Sequence, residues 1–218
     1  FTTTLSEKKW LKLLTDLYDA SIKYIDNKIA ELIEFFDEKR LLDNAVLVIF
    51  SDHGDEHLEH GSFSHGHSLY NELVKIFFIV KMPSDENKVI SKRASLINFV
   101  PYITSLVLNK EREKFLDKIL SDTVFLENLG DKFRGKTYIH QKKAIISNDF
   151  KFIVTMSRDK ILGIELYKIS KDHHERRNLA QNYPDIVKDY LKRIKHHNCW
   201  ETHKTLEIKI KGRIRRVK

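Results

Sequence analysis

From residue 6 to about residue 40, apolar side chains return every three or four positions: Leu14, Leu17, Tyr18, Ile22, Ile25, Ile29, Leu32, Ile33 and Phe36. That period predicts one long amphipathic helix. Ser6 stands as its N-cap, with Glu7 in the first turn. A helix with a single apolar stripe is expected to lie across a sheet. Asp43-Asn44 then marks a turn. Ala45 to Phe50 follows as a short unbroken apolar run, the pattern of a parallel strand buried on both faces. It stops at Ser51-Asp52-His53-Gly54, and a second apolar run, Val74 to Val80, again predicts a buried strand.

Further along, helices are expected over residues 94–108, with Pro101 in the first turns, and over 111–120. After residue 123 the period shortens. Alternating segments at 123–126, 144–147, 150–155 and 164–169 predict antiparallel strands, with Asn148-Asp149 as a hairpin turn between two of them. Residues 184–196 predict a closing helix with Pro184 near its first position. The pattern therefore divides the chain into an α/β part over residues 1–120 and a smaller antiparallel β part with a packing helix over 121–218.

Composition adds constraints. Forty-one per cent hydrophobic residues suffice for a substantial core, and three prolines with seven glycines argue against long disordered linkers. No stretch approaches the roughly 18 consecutive apolar residues of a membrane-spanning helix. Cys199 is the single cysteine, so no disulfide within the chain is expected, and a cytosolic location is compatible. Most of the net charge of +8 falls in residues 204–218, which predicts a solvated basic tail. The competing reading is a binding module that uses the tail on RNA or anionic lipid, or an edge strand built on Leu206, Ile208, Ile210 and Ile214. Nucleic acid is not the expected partner.

The candidate chemistry lies between the two apolar runs, in a His-rich polar segment of about twenty residues, SDHGDEHLEHGSFSHGHSLYNEL from Ser51 to Leu73. Loops of that length inside compact domains are usually functional. Asp52 and His53 stand where a strand ends, the position at which open α/β sheets bind ligands. A carboxylate oxygen and an imidazole nitrogen there make half of a divalent metal site. Gly54 is expected to permit the tight turn that aims them. His57 and His60 read as polar loop surface.

The order of these motifs resembles sulfatases and their relatives in the alkaline phosphatase superfamily. The residues that carry the resemblance are Tyr18-Asp19, Ile22, Tyr24 and Asp26 in the long helix, Leu41 to Ala45 at the turn, Ser51 to Gly54, and Gly66 to Leu73. Pro101 in its helix adds to it, and so does Glu165-Leu166-Tyr167 through Asp172, Glu175 and Asn178-Leu179-Ala180. The match spans residues 10 to 195.

The resemblance implies an alkaline phosphatase-like sheet sandwiched by helices, present in part, followed by a small antiparallel β subdomain with a helix. It implies that Asp52 and His53 are metal ligands, and that His65 contacts the sulfate or phosphate oxygens of an ester, with His67 as a competitor for that role. Such a group stabilises charge on the transferring group or protonates the leaving oxygen. Calcium is the ion implied for a sulfatase; manganese or zinc would suit a phosphoryl-transferring relative. The implied substrate is a small-molecule or glycan sulfate or phosphate ester.

Three departures stand out. His65 stands where sulfatases more usually carry Lys, and a His at that position is more typical of phosphoryl-transferring relatives. His173 replaces a Pro. None of Pro83, Pro101 and Pro184 lies in the C/S-x-P-x-R motif from which sulfatases make formylglycine. The nucleophile and the first metal-binding carboxylates are therefore expected from a missing N-terminal half, and this chain alone is expected to be inactive.

Overall fold

The computed structural model describes residues 5–83, 89–108, 120–128, 132–133, 136–137, 140–157, 160–197, 208–210 and 213–215, and it divides into two compact units, Phe1–Ser91 and Lys92–Lys218. The α/β part read from the sequence to residue 120 extends past that division. Cys199, residues 111–119 of the helix expected over 111–120, and the side chains of the basic tail lie outside the described residues; residues 208–210 and 213–215 pair as a short hairpin.

In the first unit, helix α1 runs over Leu5–Glu38, close to its predicted span. It ends where Arg40 takes a left-handed conformation (φ 54°) and its amide closes on the Asp37 carbonyl, the usual way a helix releases its last carbonyls. Strand β1 (Leu47–Phe50) follows, then two short strands, β2 (Glu56–His57) and β3 (Phe63–Ser64), which pair inside the His-rich loop. A one-turn helix, α2 (Asn71–Val74), leads to β4 (Phe78–Lys81).

Two expectations are corrected here. Strand β1 pairs antiparallel with β4, in the register Leu47↔Lys81 to Phe50↔Phe78, and has no parallel neighbour among the described residues. Neither apolar run is buried on both faces: Phe50 in the first, and Phe77 and Ile79 in the second, are exposed. An unbroken apolar run specifies hydrophobic neighbours, and it says nothing about their direction or whether both faces are covered. The stripe of α1 is open too, with Leu14, Leu17, Ile22, Ile25 and Leu32 all exposed.

The second unit begins with α3 (Phe99–Val107). It then builds a four-stranded antiparallel sheet in the order β10-β9-β8-β5, from β5 (Thr123–Asn128), β8 (His140–Ser147), β9 (Phe150–Ser157) and β10 (Lys160–Lys168). A small hairpin, β6 (Lys132–Phe133) and β7 (Lys136–Thr137), lies between β5 and β8. The predicted turn joins β8 and β9: Ser147 pairs with Phe150, and Asn148 between them takes φ 51°, a conformation Asn tolerates better than most residues.

Helix α4 covers Pro184–His196, starting with Pro184 and Asp185 and ending in Arg193, Lys195 and His196, so both ends suit the helix dipole. Its Tyr190 and Ile194 join Ile145, Phe152, Val154 and Leu166 in the core on one sheet face. The Tyr190 hydroxyl donates to the Ser147 carbonyl at 2.8 Å. On the opposite face Lys151 and Glu175, both 0% exposed, form an ion pair at 2.7 Å. Among the described residues no helix is long and apolar enough to cross a membrane.

Candidate active-site loop

Residues 51–74 fold back on themselves after β1. The Ser51 amide donates to the Phe77 carbonyl at 3.3 Å, and the Gly54 amide to the Leu73 carbonyl at 3.0 Å. Gly54 is required here by close approach and not by a turn: a Cβ on it would stand 2.1 Å from the Glu72 carbonyl oxygen.

The loop is organised around Glu56, which is completely buried. Its Oε1 accepts the amides of Ser62 (2.7 Å) and His60 (3.0 Å), and its Oε2 lies 2.7 Å from His67 Nε2. Burial alone would raise the pKa of this carboxyl, but the hydrogen bonds from His67, Ser62 and His60 outweigh it and hold the carboxyl below its ordinary value. Beside it His60 lies flat on Tyr70, with ring centroids 3.6 Å apart, and its Nδ1 meets Glu72 Oε1 at 2.5 Å.

His57 turns the other way, toward α1. Its Nδ1 lies 3.0 Å from Thr15 Oγ1, and its ring meets Tyr18 edge-on at 4.8 Å. Burial first, and then the negative charges of Asp55 and Asp19, push the Tyr18 phenol up. The loop-surface reading of His57 and His60 is thus replaced: both are anchors of the loop. Sequence reasoning also passed over Glu56, Glu72 and Asp55. The only available signal was the density of Glu and His at short spacing, which does not say which carboxylate is buried.

The predicted functional residues lie at the open side of this framework. Asp52 caps the turn, its Oδ1 accepting the His53 amide at 3.0 Å, and its Oδ2 stands 3.8 Å from His53 Nε2. The Asp52 side chain is 83% exposed. His53 Nδ1 lies 3.0 Å from the Gly54 carbonyl. A carbonyl only accepts, so Nδ1 carries a hydrogen, and in the neutral ring Nε2 has the lone pair.

The His65 ring lies 4.2 Å from that of His53, tilted by 37°, and its Nδ1 is 2.8 Å from Asp55 Oδ1. His53 therefore has Asp52 and His65 as neighbours, whereas His67 is engaged with buried Glu56. One carboxylate and one imidazole fit two positions of a divalent ion. Calcium takes six to eight, mainly oxygen, ligands, so Asp52 and His53 would serve it only as part of a larger set.

Residues 1–109, half of the chain, match the family described as Sulfatase. An arylsulfatase of Clostridium perfringens is 27% identical over 200 residues, which cover 86% of this chain and 40% of that protein. An N-acetylgalactosamine-6-O-sulfatase of Bacteroides thetaiotaomicron is 25% identical over 201 residues, covering 77% and 39%. Among solved structures, the phosphonate monoester hydrolase of Agrobacterium radiobacter shares the fold, with a TM-score of 0.68, at 16% identity over 85% of this chain and 41% of that one. The chain thus spans about 40% of the length of the curated relatives it matches. With half its length matching the family, in the half that holds the SDHG turn and the Glu56-centred loop, the chain belongs to the sulfatase family.

Proposed function

We propose that this chain carries the second half of the active site of a metal-dependent enzyme that hydrolyses sulfate esters. The observation that supports the reading is the position of His53 beside both Asp52 and His65, with 3.8 Å between Asp52 Oδ2 and His53 Nε2 and 4.2 Å between the two imidazole rings. Asp52 and His53 are the residues that would hold a divalent ion, with calcium favoured by the sulfatase kinship. A bound ion supplies positive charge to the ester oxygens.

His65, about half exposed beside the pair, is placed to hydrogen-bond an ester oxygen and to give a proton to the leaving oxygen. The bond from His67 to buried Glu56 supports a different part for His67: holding the loop in shape with its second nitrogen left over. The nucleophile and the remaining metal ligands come from the rest of the enzyme, and with it this chain forms the working site. The open stripe of α1 and the open faces of β1 and β4 are consistent with such a partner. The kinship with an N-acetylgalactosamine-6-O-sulfatase makes a glycan sulfate the first substrate to try.

The second reading is phosphoryl transfer, with manganese or zinc in place of calcium. The observation favouring it is His65 itself, an imidazole where sulfatases more often carry Lys. Paired assays on an aryl sulfate and an aryl phosphodiester separate the two. The assembled enzyme is expected to cleave the sulfate faster, and His65→Ala to lower kcat by about 100-fold or more, the lower range for loss of a general acid. Faster cleavage of the phosphodiester would transfer the assignment to the second reading, and wild-type turnover by His65→Ala would remove His65 from the chemistry.

A further inference from the structure

Among the described residues, two groups of side chains bring three donor atoms close enough to share an ion. Glu56, His60 and Glu72 form the first, but its atoms are already committed: Glu56 to two amides and His67, and His60 to Glu72. His53, Asp55 and His65 form the second, each with one donor atom within 4.8 Å of the others. Here His53 Nε2 keeps a lone pair, because its Nδ1–H is directed at the Gly54 carbonyl. That backbone contact is of the kind that fixes ring orientation in metal-ligating histidines. His65 and Asp55 already meet at 2.8 Å, and Ser64 Oγ lies 3.4 Å from the same His65 nitrogen.

The chemistry of this donor set differs from that of the Asp52–His53 pair. Two imidazoles and a single carboxylate suit a divalent transition-metal ion, whereas calcium seeks six to eight ligands that are mainly oxygens. Three protein donors with an open face are the arrangement of a zinc site that retains an exchangeable position.

We propose that His53, Asp55 and His65 form a binding site for a divalent transition-metal ion, zinc being the representative case, and that occupation of this site switches the enzyme off. The switching follows from shared residues. Zinc on His53 removes the imidazole that pairs with Asp52, and zinc on His65 removes the group that would meet the ester. This second half rests on the function proposed above; the binding half does not.

The test uses the 218-residue chain for binding and the assembled enzyme for inhibition. Calorimetric titration with zinc, in a background of excess calcium, is expected to give one zinc ion per chain. His65→Gln and Asp55→Asn are each expected to weaken binding by at least about tenfold, the lower range even for loss of an outer-shell partner. Asp52→Asn should leave it within about twofold. Cobalt in place of zinc should give visible bands that His65→Gln abolishes. The His65 and Asp52 side chains are 52% and 83% exposed, so His65→Gln and Asp52→Asn are expected to keep the far-ultraviolet circular dichroism of the parent.

Absence of one-to-one binding overturns the site, as does loss through Glu72→Gln with His65→Gln unaffected. If zinc binds as described but leaves calcium-supported ester hydrolysis by the assembled enzyme unchanged, the switch is refuted. If that enzyme hydrolyses no sulfate ester before zinc is added, the proposed function fails while the binding result stands.

Discussion

Removing the Glu56 carboxylate tests whether one buried side chain holds the active-site loop in shape. Its oxygens receive the Ser62 amide, the His60 amide and His67 Nε2. A hydrogen bond to a charged group contributes about 1.5–3 kcal/mol, so three would sum to roughly 4.5–9 kcal/mol if every donor were left dry. The donors are only half-buried, and water reaches part of what a shortened side chain vacates. Glu56→Ala is therefore expected to cost about 3–5 kcal/mol, counting each orphaned donor at the low end of about 1–3 kcal/mol and adding lost packing. For a unit of this size, with a stability of about 5–14 kcal/mol, that is a large fraction.

Glu56→Gln separates charge from shape. It keeps an oxygen for the two amides and loses the charge, so a smaller cost of about 1–2 kcal/mol is expected. Urea unfolding followed by circular dichroism reads the stability, and hydrogen exchange at the His60 and Ser62 amides reads the loop. A Glu56→Ala chain that loses less than about 1 kcal/mol and keeps both amides as protected as before would refute this account of the loop.

Three further substitutions probe the two units. Gly54→Ala places a methyl against the Glu72 carbonyl and is expected to lower stability by about 1–3 kcal/mol in a thermal melt, as overpacking against backbone does. Lys151→Met removes the cation paired with the buried Glu175 carboxylate and is expected to cost about 3–5 kcal/mol, whereas Lys151→Met with Glu175→Leu should recover much of that loss in the same urea titration. The third concerns acid. Hydrogen bonds from Ser170, opposed by burial and aided by Lys168 and Arg93, hold the Asp149 carboxyl below its ordinary value. A lowered folded-state value means this carboxylate stabilises the fold above about pH 4 and loses that contribution as pH falls through the lowered value. Stability measured from pH 6 down to pH 3 should fall less steeply in Asp149→Asn than in the parent.

The uneven legibility of the sequence follows from which physical relation each residue obeys. The spacing of Leu14, Leu17, Ile22 and Ile25 relates each residue to its own helix, so α1 could be read to within two residues at its far end. Asn148-Asp149 and Pro184 likewise act within a turn of chain, and the β8–β9 hairpin and α4 stand where they were expected. The apolar run of β1 failed on direction, because Val48 and Ile49 pair as well with an antiparallel neighbour as with a parallel one. Exposure of the α1 stripe was invisible for a related reason: amphipathic spacing records that a face calls for cover, not which segment provides it. Glu56 was beyond reach for a stronger reason. A carboxylate is buried only where several donors compensate it, and its donors are Ser62, His60 and His67, brought together by a loop whose path depends on Gly54 passing close to Glu72. Motif order is enough to nominate Asp52, His53, His65 and His67 as candidates for the chemistry; the residues that shape the loop around them emerge only once the loop is closed.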